Sequence, residues 1–144
     1  MSEGLAAEIL ANASCVAIGG RGLLILGEPG CGKSSLALAL IDRGAVLVGD
    51  DGLALSLEGG RVIAAPPPNI AGLVEVRNVG LITLPTTSAP LALAVRLTRD
   101  TQRHPQAPGS YTLLGIALPL IALWPESHVL HLRAEHALSL YGIA

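Results

Sequence analysis

The alternation of hydrophobic and polar residues along the chain predicts short strands joined by glycine turns. The β-rich runs 15–18 and 23–26 flank a Gly-Gly-Arg-Gly turn, and the runs 53–57 and 61–65 flank a Glu-Gly-Gly turn. Short apolar runs separated by such turns are typical of β-hairpins. We therefore predict two antiparallel hairpins in the first half of the chain.

The remaining segments predict two helices and further strands. In order, they are a helix at 34–43 ended by Gly44, a buried strand at 45–48, a mixed apolar and polar stretch at 73–84, a strand at 91–97, a long polar loop at 98–110, a last strand region at 111–123, and a terminal helix after Pro125. Because hairpins and a helical crossover occur together, we predict one α/β domain over residues 1–144 with a mixed sheet.

Composition narrows the class of protein. Charged residues are 14% of the chain against 51% hydrophobic residues, an apolar surplus that predicts surface buried against a second subunit and hence a homo-oligomer. The longest apolar run, 111–124, is interrupted by Gly115 and Pro119, so we predict no membrane span. Glu3 and Glu8 precede the first basic residue, Arg21, which is unlike a secretory signal and favours the cytoplasm.

Charge and side-chain inventory exclude further classes. A net charge of −2 argues against nucleic acid as a partner, and one Trp with two Tyr and no Phe leave no aromatic platform for bases. Two cysteines cannot form a disulfide framework or a four-ligand zinc site. The histidines 128, 131 and 136 have no acidic or Cys partner at metal spacing, so we interpret them as surface or core residues.

A glycine loop follows the second predicted strand and precedes the first helix. Its sequence fits G-x-x-x-x-G-K-[S/T], the P-loop pattern, and the pattern requires that setting. Its members and the residue after them are Gly27, Glu28, Pro29, Gly30, Cys31, Gly32, Lys33, Ser34 and Ser35. Glycines allow the backbone N–H groups to turn inward around a phosphate. Lys33, the only lysine of the chain, would reach the β and γ oxygens, and Ser34 would complete the shell of a bound Mg²⁺.

Two aspartates follow the predicted strand at 45–48. Asp50 and Asp51 come directly after it, and we expect the carboxyl ends of neighbouring strands to meet at the phosphate site. A pair of acids allows one to hold the metal and the other to accept a hydroxyl proton. In isolation Asp-Asp-Gly would be a polar turn, but beside a P-loop the catalytic interpretation is favoured.

The run GEPGCGKSSLALALIDRGAVLVGDD resembles the P-loop and following strand of bacterial HPr kinase/phosphorylase. Downstream, IAGLVEVRNVGLITLP is similar to the second signature of that family, with the order and spacing of the two motifs preserved. The resemblance covers about residues 13–123. It implies an α/β P-loop kinase domain with a mixed sheet, of the HPr kinase and phosphoenolpyruvate-carboxykinase-like type, in a short form like that of alphaproteobacteria.

The resemblance also implies roles for individual residues. Asp50 matches the general base that takes the proton of the substrate serine, and acts as the acid in the reverse, phosphorolytic reaction. Asp51 matches the second Asp, on the metal with Ser34, and Glu75 matches a metal-side carboxylate. Arg77 matches an arginine of the phosphate side. Arg103 corresponds to an arginine of the family's mobile loop.

Three departures from the family pattern bear on activity. Asn12 stands where the family has a histidine, and an amide cannot shuttle protons, which puts phosphorolysis in doubt. Asn78 replaces a glycine after Arg77. The segment Trp-Pro-Glu-Ser at 124–127 stands in place of the Pro-Gly-Arg-Asn of longer members.

These residues are compatible with three functions. The first is an ATP- and Mg²⁺-dependent protein serine kinase acting on an HPr-type phosphocarrier of the phosphotransferase system. The second is a nucleotide-binding regulator with little transfer activity, suggested by Asn12 and Asn78. The third is a small-molecule kinase. The set of Lys33, Ser34, Asp50 and Glu75 favours the first.

Overall fold

A computed structural model describes residues 8–68, 71–105 and 107–144. Glu3, Ile70 of the second signature and Gln106 of the long loop lie outside this description. The elements in chain order are β1 Glu8–Ala11, β2 Ser14–Ile18, β3 Arg21–Gly27, α1 Lys33–Asp42, β4 Val46–Gly49, β5 Gly52–Glu58, β6 Arg61–Ala65, β7 Leu73–Val76, β8 Gly80–Thr83, β9 Ala89–Leu97, β10 Gly109–Leu113, β11 Ile116–Leu123 and α2 Leu130–Tyr141.

Within the described residues, most strands join one sheet of nine strands. The sheet is mixed, as predicted. Its path is β1-β5-β6-β9-β3-β2-β4, and β11 pairs with both β9 and β10. The two predicted hairpins, β2–β3 and β5–β6, are antiparallel, whereas β3, β9 and β11 run parallel side by side. The carboxyl ends of these three parallel strands therefore lie at one end of the sheet.

The buried strand predicted at 45–48 is present, and its position in the sheet is at an edge. It is β4, at the edge of the sheet, where Val46 is 39% exposed while Leu47 and Val48 are buried. The antiparallel β2 lies between β3 and β4, so Ser14 at the start of β2 is what separates their carboxyl ends. The outer side of β4 is covered by a short parallel bridge from Leu47 to Thr86, in which the N–H of Thr87 donates to the carbonyl of Leu47 at 2.9 Å.

The last strand region, 111–123, is a hairpin rather than one strand. β10 and β11 are joined at Leu114 and Gly115, whose φ angles of 51° and 80° both lie in the left-handed region. Two successive positive φ angles are what a two-residue hairpin turn of type I′ requires. Because Leu is uncommon at the first of these positions, the sequence carried only half of the turn signal.

The core lies on both faces of the sheet. On one face, α1 and α2 pack over buried residues of β2, β3 and β9. On the other face, apolar side chains of β2, β3, β5, β6 and β9 form a second cluster with β10 and β11. Across the described residues, neither helix is long and apolar enough to cross a membrane.

A small hairpin stands apart from the main sheet. β7 and β8 pair only with each other within the described residues, and the N–H of Leu84 donates to the carbonyl of Gly72 at 2.9 Å, which closes its base. Within this hairpin, the side chain of Val74 in β7 is buried. The mixed stretch at 73–84 is therefore a separate hairpin, and it carries Glu75 and Arg77.

Candidate functional site

The glycine loop, residues 27–34, joins the end of β3 to the start of α1, as the motif requires. Its turn depends on glycine at Gly30 and Gly32, which have φ angles of 81° and 106°. Gly32 is the N-cap of α1, and the carbonyl of Gly32 accepts the N–H of Leu36 at 2.9 Å. The first N–H groups of the helix thus face the loop, where they can bind an anion.

Lys33 is buried, with 8% of its surface exposed. Its Nζ donates to the carbonyls of Gly27 at 2.8 Å and Glu28 at 3.0 Å, so the ammonium lies across the start of the loop. From the sequence we expect an exposed loop lysine, and the burial of Lys33 shows that this expectation of exposure is wrong. Removing the side chain leaves two carbonyl oxygens without this donor.

Asp50 is the acceptor of two hydroxyl groups. Ser34 Oγ donates to its carboxylate, with distances of 2.8 Å to Oδ1 and 2.9 Å to Oδ2. Ser14 Oγ donates to Oδ1 at 2.7 Å. Ser14 is 1% exposed and Asp50 is 9% exposed, so these hydrogen bonds are largely shielded from water.

Asp51 is tied through its backbone while its side chain faces solvent. It has a φ of 61°, a conformation that Asp and Asn adopt more readily than other L residues. Its carbonyl accepts the N–H of Asn12 at 3.2 Å, and its own N–H donates to Ser14 Oγ at 3.5 Å. The residue is exposed, so its carboxylate is accessible from the open side of the site.

One cavity of about 540 Å³, hereafter the loop cavity, brings together most of the predicted site residues. Glu75 and Arg77 reach it from the β7–β8 hairpin. Its lining residues are Ser14, Pro29, Gly30, Gly32, Lys33, Ser34, Ser35, Leu38, Asp51, Glu75, Val76 and Arg77. Asp50 lies behind this lining, in hydrogen-bond contact with Ser14 and Ser34.

A second cavity, hereafter the flanking cavity, lies beside the first and measures about 520 Å³. It is built at the carboxyl ends of β3 and β9, and the loop residues Gly27, Glu28 and Cys31 line it, whereas other residues of the loop line the loop cavity. Its lining residues are Asn12, Leu26, Gly27, Glu28, Cys31, Arg96, Leu97, Thr98, Arg99 and Pro125. Asn12, which the family resemblance matches to a histidine, therefore lines this second cavity and not the loop cavity.

Arg99 at the rim of the flanking cavity is engaged by an acid. It makes two hydrogen bonds with the Glu126 carboxylate, of 3.0 Å and 2.6 Å. This bidentate contact lowers the pKa of Glu126 and raises that of Arg99, first through the hydrogen bonds and then through the opposite charges. Glu126 belongs to the Trp-Pro-Glu-Ser segment at 124–127, so this contact joins the residue stretch after β9 to the stretch after β11.

Arg103 is the predicted site residue that the structure does not bring into the site. It is exposed in the 98–108 loop and lines neither the loop cavity nor the flanking cavity. Cys15, although next to Ser14, is fully buried, and burial raises the pKa of its thiol. Of the two cysteines, only Cys31 lines a cavity beside the loop.

The oxygen donors of the loop cavity suit a magnesium ion bound together with a nucleotide. Among the described residues, no three His, Cys, Asp or Glu side chains gather to hold a metal by themselves. Mg²⁺ is commonly held by one or two carboxylates or hydroxyls plus phosphate oxygens and water. Ser34 with Asp50 behind it, and the exposed Asp51 and Glu75, are the residues that would hold it.

The sequence of this chain matches the model of a known protein family. The profile of the HPr Serine kinase C-terminal domain matches residues 3–89, more than half of the chain. The chain belongs to the HPr serine kinase C-terminal domain family. Its relatives include the HPr kinase/phosphorylase of Clostridium tetani, 41% identical over 86 residues, and that of Mycoplasmopsis pulmonis, 37% identical over 79 residues. These matches cover 60% and 55% of this chain but only 28% and 26% of the relatives.

A solved structure of an HPr kinase has a fold similar to that of this chain. The Hpr(Ser) kinase/phosphatase from Coxiella burnetii superposes with a TM-score of 0.77 at 28% identity, and the match covers 92% of each chain. The mixed α/β architecture predicted from the sequence is therefore that of an HPr kinase structure. The family assignment suggested by the two motifs is confirmed.

Two features of the site were not found from the sequence. The first is Ser14, whose signal was a hydroxyl residue in the otherwise apolar strand Ser-Cys-Val-Ala-Ile. The second is the flanking cavity with Arg96 and Arg99, which depends on β9 and β11 ending side by side. No local sequence pattern predicts that pairing, because Leu97 and its partner Leu123 lie 26 positions apart in the chain.

Proposed function

We propose that this protein is an ATP- and Mg²⁺-dependent protein serine kinase, a single catalytic domain of the P-loop, phosphoenolpyruvate-carboxykinase-like type. Its acceptor is an HPr-type phosphocarrier. The observation that carries the proposal is the joint geometry of Lys33, Ser34 and Asp50 around a glycine loop, in a chain of the HPr kinase family. The relatives named above are called HPr kinase/phosphorylase, which supports the choice of acceptor.

The residues of the loop cavity divide the work of phosphoryl transfer. The N–H groups of the loop and the start of α1 bind phosphate oxygens, and the Lys33 ammonium moves from the loop carbonyls to the β and γ oxygens. Mg²⁺, when bound, neutralises the charge on those phosphates. Arg77 reaches the same cavity and adds positive charge on the phosphate side. A carboxylate of the Asp50–Asp51 pair takes the proton of the acceptor serine.

The reverse reaction is proposed to be weak. In phosphorolysis, inorganic phosphate attacks the phosphoserine, and a histidine at position 12 could adjust the protonation of that nucleophile. Asn12 can hydrogen-bond phosphate but cannot take or give a proton at neutral pH. The same residue supports the second candidate function, a nucleotide-binding regulator with little transfer activity.

The deciding experiment incubates the purified protein with radiolabelled ATP, Mg²⁺ and each HPr-type phosphocarrier of its host. We expect label on a serine of one phosphocarrier. Two controls are the Lys33→Met protein and a phosphocarrier whose acceptor serine is replaced by alanine, and neither should give label. Nucleotide binding without label on any carrier would favour the regulator. Absence of nucleotide binding would refute both candidates.

A further inference from the structure

The loop cavity is lined in part by aliphatic side chains that phosphate and metal do not use. Leu38 of α1 and Val76 at the end of β7 are half-buried and line it together with Lys33 and Ser34. Leu38 lies four residues after Ser34, so both side chains are on the same face of α1. The helix therefore places an aliphatic side chain one turn beyond Ser34.

The position of Lys33 gives the direction of a bound phosphate chain. Its Nζ lies 2.8 Å from the carbonyl of Gly27 and 3.0 Å from that of Glu28, at the start of the loop. In this motif the lysine reaches the β and γ oxygens, while the backbone N–H groups hold the α and β phosphates. The γ phosphate thus lies toward the start of the loop. The α phosphate lies toward its end, where the exposed Ser35 lines the cavity.

The group attached to the α phosphate is the nucleoside, and it leaves the loop on the side of Ser35. Leu38 follows Ser35 by three residues, a spacing that also makes the two side chains neighbours on the helix. Val76 approaches from the hairpin and shares a face of β7 with Val74, whose side chain is buried. Ribose and base therefore meet aliphatic side chains from two elements.

The side chains in this part of the cavity offer few hydrogen bonds to the edge of a base. Beside Leu38 and Val76, the polar groups are the Ser35 hydroxyl and the Arg77 guanidinium. None of the three aromatic residues of the chain lines the cavity, so no ring stacks on the base. An apolar pocket discriminates weakly between ligands that differ in polar groups, whereas a pocket built to hydrogen-bond its ligand discriminates strongly.

The flanking cavity is the other space for a nucleoside, with about 520 Å³ against about 540 Å³ for the loop cavity. Both volumes lie in the range of about 300–1,000 Å³ that is usual for small-molecule sites. Among the described residues, however, the two cavities share no lining residue, whereas Leu38 and Val76 line the same cavity as Lys33. A triphosphate bound at Lys33 therefore continues directly to Leu38 and Val76.

We propose that Leu38 and Val76 form the nucleoside subsite of the loop cavity, where they hold ribose and base by apolar contact and discriminate little between adenine and guanine. This rests on the proposed kinase function, whose nucleotide substrate it specifies as a purine nucleoside triphosphate of either base. The family resemblance assigns no role to either residue.

The test compares ATP with inorganic tripolyphosphate, which has the three phosphates without the nucleoside. Both are titrated with Mg²⁺ by calorimetry into the wild type, Leu38→Ala and Val76→Thr. Alanine favours the helix, and threonine keeps the branched shape of valine in the strand. We expect Leu38→Ala to lose about tenfold in ATP affinity, Val76→Thr to lose less, and both to bind tripolyphosphate as the wild type does. We expect GTP to bind the wild type within about tenfold of ATP.

Ile41→Ala is the matched control, because it removes aliphatic carbons from the same helix. Ile41 packs against the core on the helix side of the sheet and lines neither cavity. We expect Ile41→Ala to bind ATP and tripolyphosphate as the wild type does. Thermal melting of every variant reports folding separately.

An equal loss for ATP and tripolyphosphate in Leu38→Ala would assign the effect to the loop and overturn the subsite, and so would unchanged ATP affinity in both variants. Arg96→Met tests the flanking cavity. A loss of ATP affinity confined to that variant, with tripolyphosphate unaffected, would place the nucleoside there and overturn the proposal. A preference for ATP over GTP of more than about 10²-fold would overturn binding by apolar contact alone.

The same titrations separate this proposal from the proposed function. If the wild type binds neither ATP nor tripolyphosphate, the nucleotide-binding function fails and the subsite fails with it. If both bind and the variants behave as expected while no phosphocarrier is labelled, the subsite stands and the result counts against the kinase function alone.

Discussion

Asn78 explains how the second signature keeps its shape without the family glycine. Its φ is 70°, in the left-handed region that glycine adopts freely. Among other residues, asparagine is one of the few that occupy this region at small cost. Asn78 therefore fits the local backbone next to Arg77, and Asn78 itself gives no reason to expect an inactive protein.

Lys33 gives the sharpest test of nucleotide binding. Lys33→Met keeps most of the side-chain volume but removes the charge, and we expect ATP affinity to fall roughly 10–100-fold, the size of a charged hydrogen bond. Calorimetry with Mg²⁺ measures it. Because two loop carbonyls also lose their donor, thermal melting is measured alongside. Arg133→Met, an exposed change on α2, is the control. Equal affinity in Lys33→Met and wild type would remove the P-loop assignment.

Asn12 separates the forward reaction from the reverse one. Its φ of 62° is also accessible to histidine, so Asn12→His is expected to fold. We expect phosphate-dependent dephosphorylation of the phosphocarrier to rise, by up to about 10²-fold, because an imidazole can assist proton transfer. Release of labelled pyrophosphate from the labelled carrier measures it.

Asn12→Gly is the matched control for Asn12→His, since it relaxes the backbone without adding an imidazole. An equal rise in the glycine variant would assign the effect to the backbone. A wild type that is already as fast as Asn12→His would show that position 12 does not correspond to the family histidine.

The roles of individual residues could be predicted from the sequence where those residues belong to a short motif. Lys33, Glu75 and Arg77 were predicted in this way, and the structure brings them to one cavity. The hydrogen bond from Ser14 to Asp50 was not, because it joins residues 36 positions apart and depends on β2 lying between β3 and β4. Strand order is a property of the whole sheet that a single sequence does not display.

At the scale of elements, α1 and α2 are linked by one ion pair near the end of α1. The guanidinium of Arg43 donates to Glu135 Oε2 at 2.8 Å. This hydrogen bond is the main reason that the pKa of Glu135 lies below its usual value. Burial acts in the opposite direction, and the charges of Arg43, His131 and His136 lower the pKa further.

The lowered pKa gives the Arg43–Glu135 pair a defined pH dependence. A carboxyl with a lower pKa in the folded state stabilises the fold above its unfolded pKa, near 4.3, and loses this contribution as pH falls through the folded value. We expect Glu135→Gln to lower the melting temperature at pH 7 and to leave it unchanged near pH 3. Glu58→Gln, at the exposed end of β5, is the control. A deficit that persists at pH 3 would assign the effect to packing.

Elements with strong periodicity and clear turn residues were predicted well. The β2–β3 and β5–β6 hairpins have glycine turns, and α1 ends before Gly44, whose φ of 108° allows the chain to leave the helix. Gly115 indicates a break in the run 111–124, but the hairpin turn itself was not predicted because Leu114 occupies a position that usually holds Asn or Gly. β4 was taken as interior because an edge strand covered by another segment reads like a buried one.

For the whole molecule, the low charge content predicts association. Charged residues are 14% of the chain, and Val79 and Leu81 on the β7–β8 hairpin are 75% and 70% exposed. Apolar side chains that remain exposed in one copy are commonly covered in an assembly. We expect light scattering at micromolar concentration to give the mass of an oligomer, which is two or more times the 14.7 kDa of one chain. A monomer at that concentration would contradict the inference from composition.

The covered outer side of β4 limits how such copies can meet. An open sheet edge is a template for strands of other molecules, and it underlies domain swapping and fibre growth. Here the bridge to Thr86 and the hydrogen bond from Thr87 already use the outward carbonyl of Leu47. A strand from another copy would first have to displace this intramolecular bond. On the β4 side, therefore, backbone pairing with a strand of another copy is disfavoured, and this edge resists domain swapping and fibre growth.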